Sequence, residues 1–217
     1  MANKITTVLF DLDGTLLDTN ELIMQSFEQL LDRHYPGQYT RTKILPFLGP
    51  TLAETFNAMD PSKTEAMIEE YRTWNILNHD LLATPFDGVP ETLTRLVDNG
   101  IRMAIVSTKR KDMVGKGLQL LGIGHLFETV IGLDDVKRPK PDPEPLLLAM
   151  QRMNVSKEEV IMVGDNFHDI EGGKNAGVLT AGVAWSLKGK EFLSTFNPDY
   201  MLNHISDLYG ILGVSDK

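Results

Sequence analysis

The chain has no cysteine in its 217 residues. That excludes disulfide staples, a thiolate nucleophile and cysteine-ligated zinc. It also lacks any apolar run near the ~20 residues that a membrane-spanning helix needs. Positive charge is short, with 21 Lys and Arg against 30 Asp and Glu, a formal net charge of −9. Such a balance argues against nucleic acid or an anionic membrane surface as partner. The first apolar stretch, Ile5 to Phe10, is broken by Asp11 and Asp13 and is followed by no small-residue cleavage site. It reads as a buried strand and not as a secretory leader, and the expected compartment is the cytoplasm.

What is present is a series of short apolar runs bounded by Gly, Pro or charge: residues 5–10, 102–108, 129–133, 159–165 and 179–185. They are rich in β-branched residues and do not alternate, as strands buried on both faces should be. Helical patterns separate the later ones, over 90–99 before Gly100, 112–121 before Gly122, and 144–153 after a proline-rich turn. Strand and helix in alternation predict a doubly wound, mostly parallel, Rossmann-like α/β sheet. Between the first strand and the rest the pattern changes. Helices are expected over 20–33, capped by Asp18 or Thr19, over 51–58 and over 62–78, with no strand among them. The expected organisation is a core of residues 1–16 and 81–217 and an inserted helical domain of residues 17–80, hinged at 16–20 and 84–90.

Four features carry chemistry. Asp11 and Asp13 stand two apart at the end of the first run, so both side chains point the same way before Gly14 turns the chain. Ligands of open parallel sheets bind beyond the carboxyl ends of strands, although aspartates are also common turn residues. Asp165 ends another strand, with Asp169 four residues on. Their hard oxygens suit Mg²⁺, and Asp169 alone could equally cap a helix. Ser107, Thr108 and Lys109 end a third strand, where hydroxyls and amides can hold phosphate oxygens or merely form a polar terminus. Lys140 is flanked by Pro139 and Pro141, which would present its ammonium with little loss of entropy.

Taken in this order at these strand ends, the four features resemble the haloacid dehalogenase-like phosphatase superfamily, and the resemblance covers the whole chain. It implies that Asp11 is the nucleophile and Asp13 the general acid and base. Thr108 and Lys140 would stabilise the transferring phosphoryl group, with Ser107 and Lys109 beside it. Mg²⁺ would be held by Asp11, the backbone carbonyl of Asp13 and Asp165, with Asp169 orienting its waters. A cation and Lys140, with Lys109 and Arg110 nearby, would make the cleft positive inside an acidic protein.

The helical insertion resembles the small cap of one branch of that superfamily, a lid over small phosphate-containing substrates. Stretches across most of the chain, among them residues 19–31, 45–56, 71–80, 163–177 and 181–189, are similar to the bacterial inorganic pyrophosphatases of that branch. This implies hydrolysis of pyrophosphate to two phosphates, linked to dephosphorylation of serine-phosphorylated HPr. A phosphatase for phosphoglycolate or small sugar phosphates is the nearest alternative, then an isomerase of the β-phosphoglucomutase type. A catalytically dead binding protein is disfavoured by the complete set of Asp11, Asp13, Thr108, Lys140, Asp165 and Asp169. Gly49 and Thr51 would either touch a distal phosphate or form an ordinary helix-capping loop. His168 reads as a partly exposed polar residue in preference to a substrate contact. Phe27, Phe56 and Trp74 read as core of the helical insertion.

Overall fold

The structure, a computed structural model, describes residues 5–214. By chain order, β1 (Thr7–Phe10) is followed by a two-residue strand, β2 (Leu17–Asp18), and then by four helices: α1 (Asn20–His34), α2 (Arg41–Ile44), α3 (Leu52–Met59) and α4 (Thr64–Leu82). β3 (Thr84–Pro85) pairs with β2 in a separate two-stranded sheet. From there strand and helix alternate: α5 (Val89–Asp98), β4 (Arg102–Val106), α6 (Lys111–Leu121), β5 (Thr129–Ile131), α7 (Glu144–Met153), β6 (Val160–Gly164), α8 (Phe167–Ala176) and β7 (Leu179–Val183). Three short elements close the described chain: α9 (Lys190–Ser194), β8 (Tyr200–Leu202) and α10 (Leu208–Leu212). The described residues up to Leu17 and from Pro85 on form one compact unit, and Asp18–Thr84 forms another.

The larger unit is built on one six-stranded sheet in the order β5-β4-β1-β6-β7-β8, parallel throughout. Val8, Leu9 and Phe10 of β1 and Ile161, Met162 and Val163 of β6 have no exposed surface. Helices on both faces explain why these runs are unalternated. On one face Leu9, Val106, Ile131 and Met162 pack with Leu146, Ala149, Met150 and Met153 of α7. From β1 the order runs to β4 and β5 on one side and to β6, β7 and β8 on the other. That reversal is the switch point at which such sheets bind ligands. The loops after β1, β4, β6 and β7 therefore share one edge.

Two expectations about strands are corrected. The strands end up to two residues sooner than their apolar runs, because the terminal residues leave the ladder to form loops. Asp11 and Ser107 each keep one last backbone bond, to Val163 and Ile131, both 2.9 Å. β8 had no strand signature: it has three residues, Tyr200 is exposed, and only Leu202 is deeply buried.

The smaller unit is helical. In α1 the residues Leu22, Phe27, Leu30 and Leu31 recur at helical spacing and are buried. Phe27 meets Tyr71 at 4.8 Å and Phe56 at 5.7 Å between ring centres, within the range of favourable aromatic pairing. The helix cap differs from the simple reading. Thr19 occupies the cap position but its side chain does not cap the helix, and Asp18 Oδ1 accepts the Asn20 amide at 3.0 Å. On α4 the buried stripe is Met67, Tyr71, Asn75 and His79, every fourth residue. Trp74 stands on the flank of that stripe, half-buried and outside the aromatic cluster, so its assignment to the core is withdrawn. Asn75 Nδ2 donates to Ser26 Oγ at 3.0 Å, which satisfies two buried polar groups at once.

Thr51 caps α3. Its Oγ1 accepts the Glu54 amide at 3.2 Å, while its own amide and hydroxyl donate to Glu54 Oε2, both at 2.9 Å. This reciprocal box uses the groups that would otherwise have met a phosphate. Of the two readings of Gly49 and Thr51, the capping loop is the one that Thr51 adopts. Gly49 lies just before it with φ of 111°, backbone that a side chain rarely adopts.

Candidate active site

The site begins with Asp11, 7% exposed, immediately after β1. Lys140 is 2% exposed and reaches it from the loop before α7. Its Nζ donates to Asp11 Oδ1 at 2.8 Å, Asp169 Oδ1 at 2.6 Å and the Val106 carbonyl at 2.6 Å. All three ammonium donors are thus used in a buried setting. Burial acts to lower this ammonium's pKa, but Asp11 and Asp169 outweigh it and hold it above the usual lysine value. Burial pushes Asp11 up to about 7, with Lys140 opposing the rise and Asp169 and Asp13 adding to it.

Asp165 follows β6, and its carboxyl is also raised well above the ordinary range, first by burial and then by Asp169 and Asp11. Asp169 lies in the first turn of α8 and is not its cap. Asn166 is the cap, and its amide donates to Asp169 Oδ2 at 3.0 Å. With Lys140 on the other oxygen, Asp169 is held at both ends. Asp11, Asp165 and Asp169 each bring an oxygen within 4.8 Å of the other two. Three crowded acids repel one another, as the raised Asp11 and Asp165 show, and a hard divalent cation would remove that repulsion. The donor set fits Mg²⁺, which accepts one or two carboxylates and keeps room for water and phosphate. The Asp13 side chain is outside this triad; its Oδ1 accepts from Lys109 Nζ at 2.6 Å.

Gly14 shows how tightly the site is built. Its φ is +77°, and a Cβ there would lie 2.4 Å from Asp165 Oδ2. Only glycine lets the turn after Asp13 pass so close to the second acidic loop. Ser107 is buried directly after β4, and its Oγ accepts the Lys109 amide at 3.1 Å. Thr108 is half-buried beside it.

Several contributors carry no sequence motif. The Val106 carbonyl anchors Lys140. Thr15 Oγ1 reaches Asp165 Oδ1 at 3.4 Å, and Ser186 Oγ donates to the Asp165 carbonyl at 2.7 Å. Ser186 and its neighbour Lys188 lie in the loop after β7, whose position at a strand end was the available signal. The reading of His168 as partly exposed is corrected. It is 7% exposed, with Nδ1 3.0 Å from Asn166 Oδ1 and its ring 3.8 Å from the centre of Phe167.

A buried carboxylate paired with a buried lysine in an acidic triad, at a parallel-sheet switch point, is the arrangement of a class of hydrolase. The chain belongs to the haloacid dehalogenase-like hydrolases, whose family model matches residues 8–183. Among its relatives, "Pyrophosphatase PpaX" of Bacillus velezensis is 53% identical over 97% of this chain and 98% of that protein. The protein of the same name in Listeria innocua is 50% identical over 98% of each. The solved structure of a putative haloacid dehalogenase-like hydrolase from Bacteroides fragilis has a TM-score of 0.88 and 32% identity. It covers 94% of this chain and 100% of that one. Among the described residues, no helix is long and apolar enough to cross a membrane.

Proposed function

We propose that this hydrolase is a Mg²⁺-dependent phosphatase acting on inorganic pyrophosphate through an aspartyl-phosphate on Asp11. The observation that carries the chemistry is Lys140 held between Asp11 and Asp169 next to the acidic triad. The substrate rests on relatives named pyrophosphatase at about half identity over nearly the full chain.

A carboxylate cannot easily approach a phosphate dianion, so the site must first cancel negative charge. Bound to Asp11, Asp165 and the Asp13 carbonyl, with Asp169 behind them, Mg²⁺ would neutralise the phosphoryl oxygens. Lys140 holds Asp11 in place and puts a second positive charge beside the reacting phosphorus. An Asp11 oxygen then attacks phosphorus, the bond to the bridging oxygen breaks, and Asp13 gives its proton to the departing phosphate. In the second half Asp13 takes a proton from water, the water oxygen attacks the phosphorus, and Asp11 is released. Ser107 and Thr108 donate to the transferring oxygens. Lys109, paired with Asp13 before substrate arrives, can turn to the phosphate. We place part of substrate selection in the helical unit of residues 18–84, and the protein's role in clearing pyrophosphate released from serine-phosphorylated HPr.

The test is phosphate release from pyrophosphate against a panel of monoesters, phosphoglycolate and hexose phosphates included, with and without Mg²⁺. Pyrophosphate with Mg²⁺ is the expected preferred substrate. A clear preference for any monoester would overturn the assignment.

A further inference from the structure

In the proposed mechanism Lys140 stays on Asp11 and Asp169, and Lys109 leaves Asp13 to meet the transferring phosphate. A substrate with two phosphates brings more negative charge than a monoester, so the second phosphate calls for a further positive group. The loop after β7 carries one. Trp185 Nε1 donates to the Thr15 carbonyl at 3.3 Å, and Ser186 Oγ donates to the Asp165 carbonyl at 2.7 Å, which tie the loop to both acidic turns. The Lys188 amide donates to Ser186 Oγ at 3.3 Å. Its ammonium lies 5.8 Å from the ring centre of Phe167 and 5.7 Å from that of Phe192. Phe167 stands between Asp165 and Asp169 in sequence; burial holds the Lys188 ammonium below the usual lysine value, with both carboxylates opposing that shift. Lys188 is thus half-buried and braced by two rings, one of them on the residue between Asp165 and Asp169.

We propose that Lys188 binds the non-transferred phosphate of a diphosphate substrate and so contributes to the preference for pyrophosphate over monoesters. This rests on the pyrophosphatase reading above. A lysine acts here as a compact point charge with several donors, suited to a phosphate whose orientation need not be fixed.

The test uses the full chain loaded with Mg²⁺ and two probes, imidodiphosphate and inorganic phosphate, titrated calorimetrically into wild type, K188M and K188R. K188M is expected to weaken imidodiphosphate binding by about tenfold or more, the loss of a charged hydrogen bond. Inorganic phosphate should be affected much less, and K188R should recover most of the loss. In turnover, KM for pyrophosphate should rise more than kcat falls. Unchanged imidodiphosphate affinity in K188M would overturn the assignment. So would an equal loss for both probes with weakened Mg²⁺ binding, which would mark Lys188 as a prop for Asp165. Failure of the wild type to hydrolyse pyrophosphate would overturn the substrate reading itself. Normal wild-type turnover with an unaffected K188M would overturn Lys188 alone.

Discussion

At the scale of single residues, Lys140 and Asp11 depend on each other. Removing the ammonium in Lys140→Met leaves Asp11 and Asp169 facing each other in a buried site. Breaking a buried pair in this way costs about 3–5 kcal/mol, read as a lowered denaturant midpoint of the metal-free protein. Asp11→Asn keeps the shape but removes the proposed nucleophile. It is expected to lower turnover at least ~1000-fold while leaving the circular dichroism spectrum unchanged. The raised carboxyls of Asp11, to about 7, and Asp165 make metal binding compete with protons. The proton must leave before the oxygen can serve as a ligand. Mg²⁺ affinity should therefore fall as the pH drops through about 7, by about tenfold per pH unit for the Asp11 proton alone, measured by calorimetry at fixed ionic strength. An affinity equal at pH 6 and pH 8 would show that these carboxyls are already ionised.

At the scale of elements, the strands of the switch point were legible because burial on both faces leaves a simple mark. ITTVLF and EVIMVGD contain no alternation, and their strands lie at the centre of the sheet. β8 left no mark because an edge strand of three residues needs little burial. The site was legible where a carboxylate or hydroxyl ended such a run, as at Asp11, Asp165 and Ser107. It was not legible where a residue acts through a distant partner. Nothing near Ser186 or Lys188 announces Asp165, which lies 21 residues from Ser186 in sequence. Thr51 separates two roles at this scale. Thr51→Ala should destabilise the helical unit by about 1 kcal/mol through loss of the cap, with KM unchanged. A raised KM would mean that its hydroxyl reaches the substrate. Gly14→Ala should be worse for catalysis than for folding, since the added carbon meets the Asp165 carboxylate at 2.4 Å. A loss of at least ~10-fold in turnover and in Mg²⁺ affinity is expected, because a displaced ligand affects both.

At the scale of the whole molecule, an acidic protein handles an acidic substrate by gathering positive charge at one edge of its sheet. The net charge of −9 acts at long range and is screened by salt over about 10 Å, whereas Lys140 and a bound cation act at contact. Raising ionic strength should therefore lower KM or leave it unchanged, because salt screens the repulsive field more than the buried contacts. The proposed mechanism assigns the chemistry to Asp11, and covalent capture tests that assignment most directly. In Asp13→Asn the proposed acid of the first half-reaction and base of the second are both lost; phosphate is a good leaving group and needs the acid less than water needs the base, so the phosphoryl group should accumulate on the enzyme. Incubation with labelled pyrophosphate and Mg²⁺, an acid quench and peptide mapping should place one phosphoryl group on Asp11. Label on another residue, or no bound label while phosphate is still released, would contradict nucleophilic catalysis by Asp11.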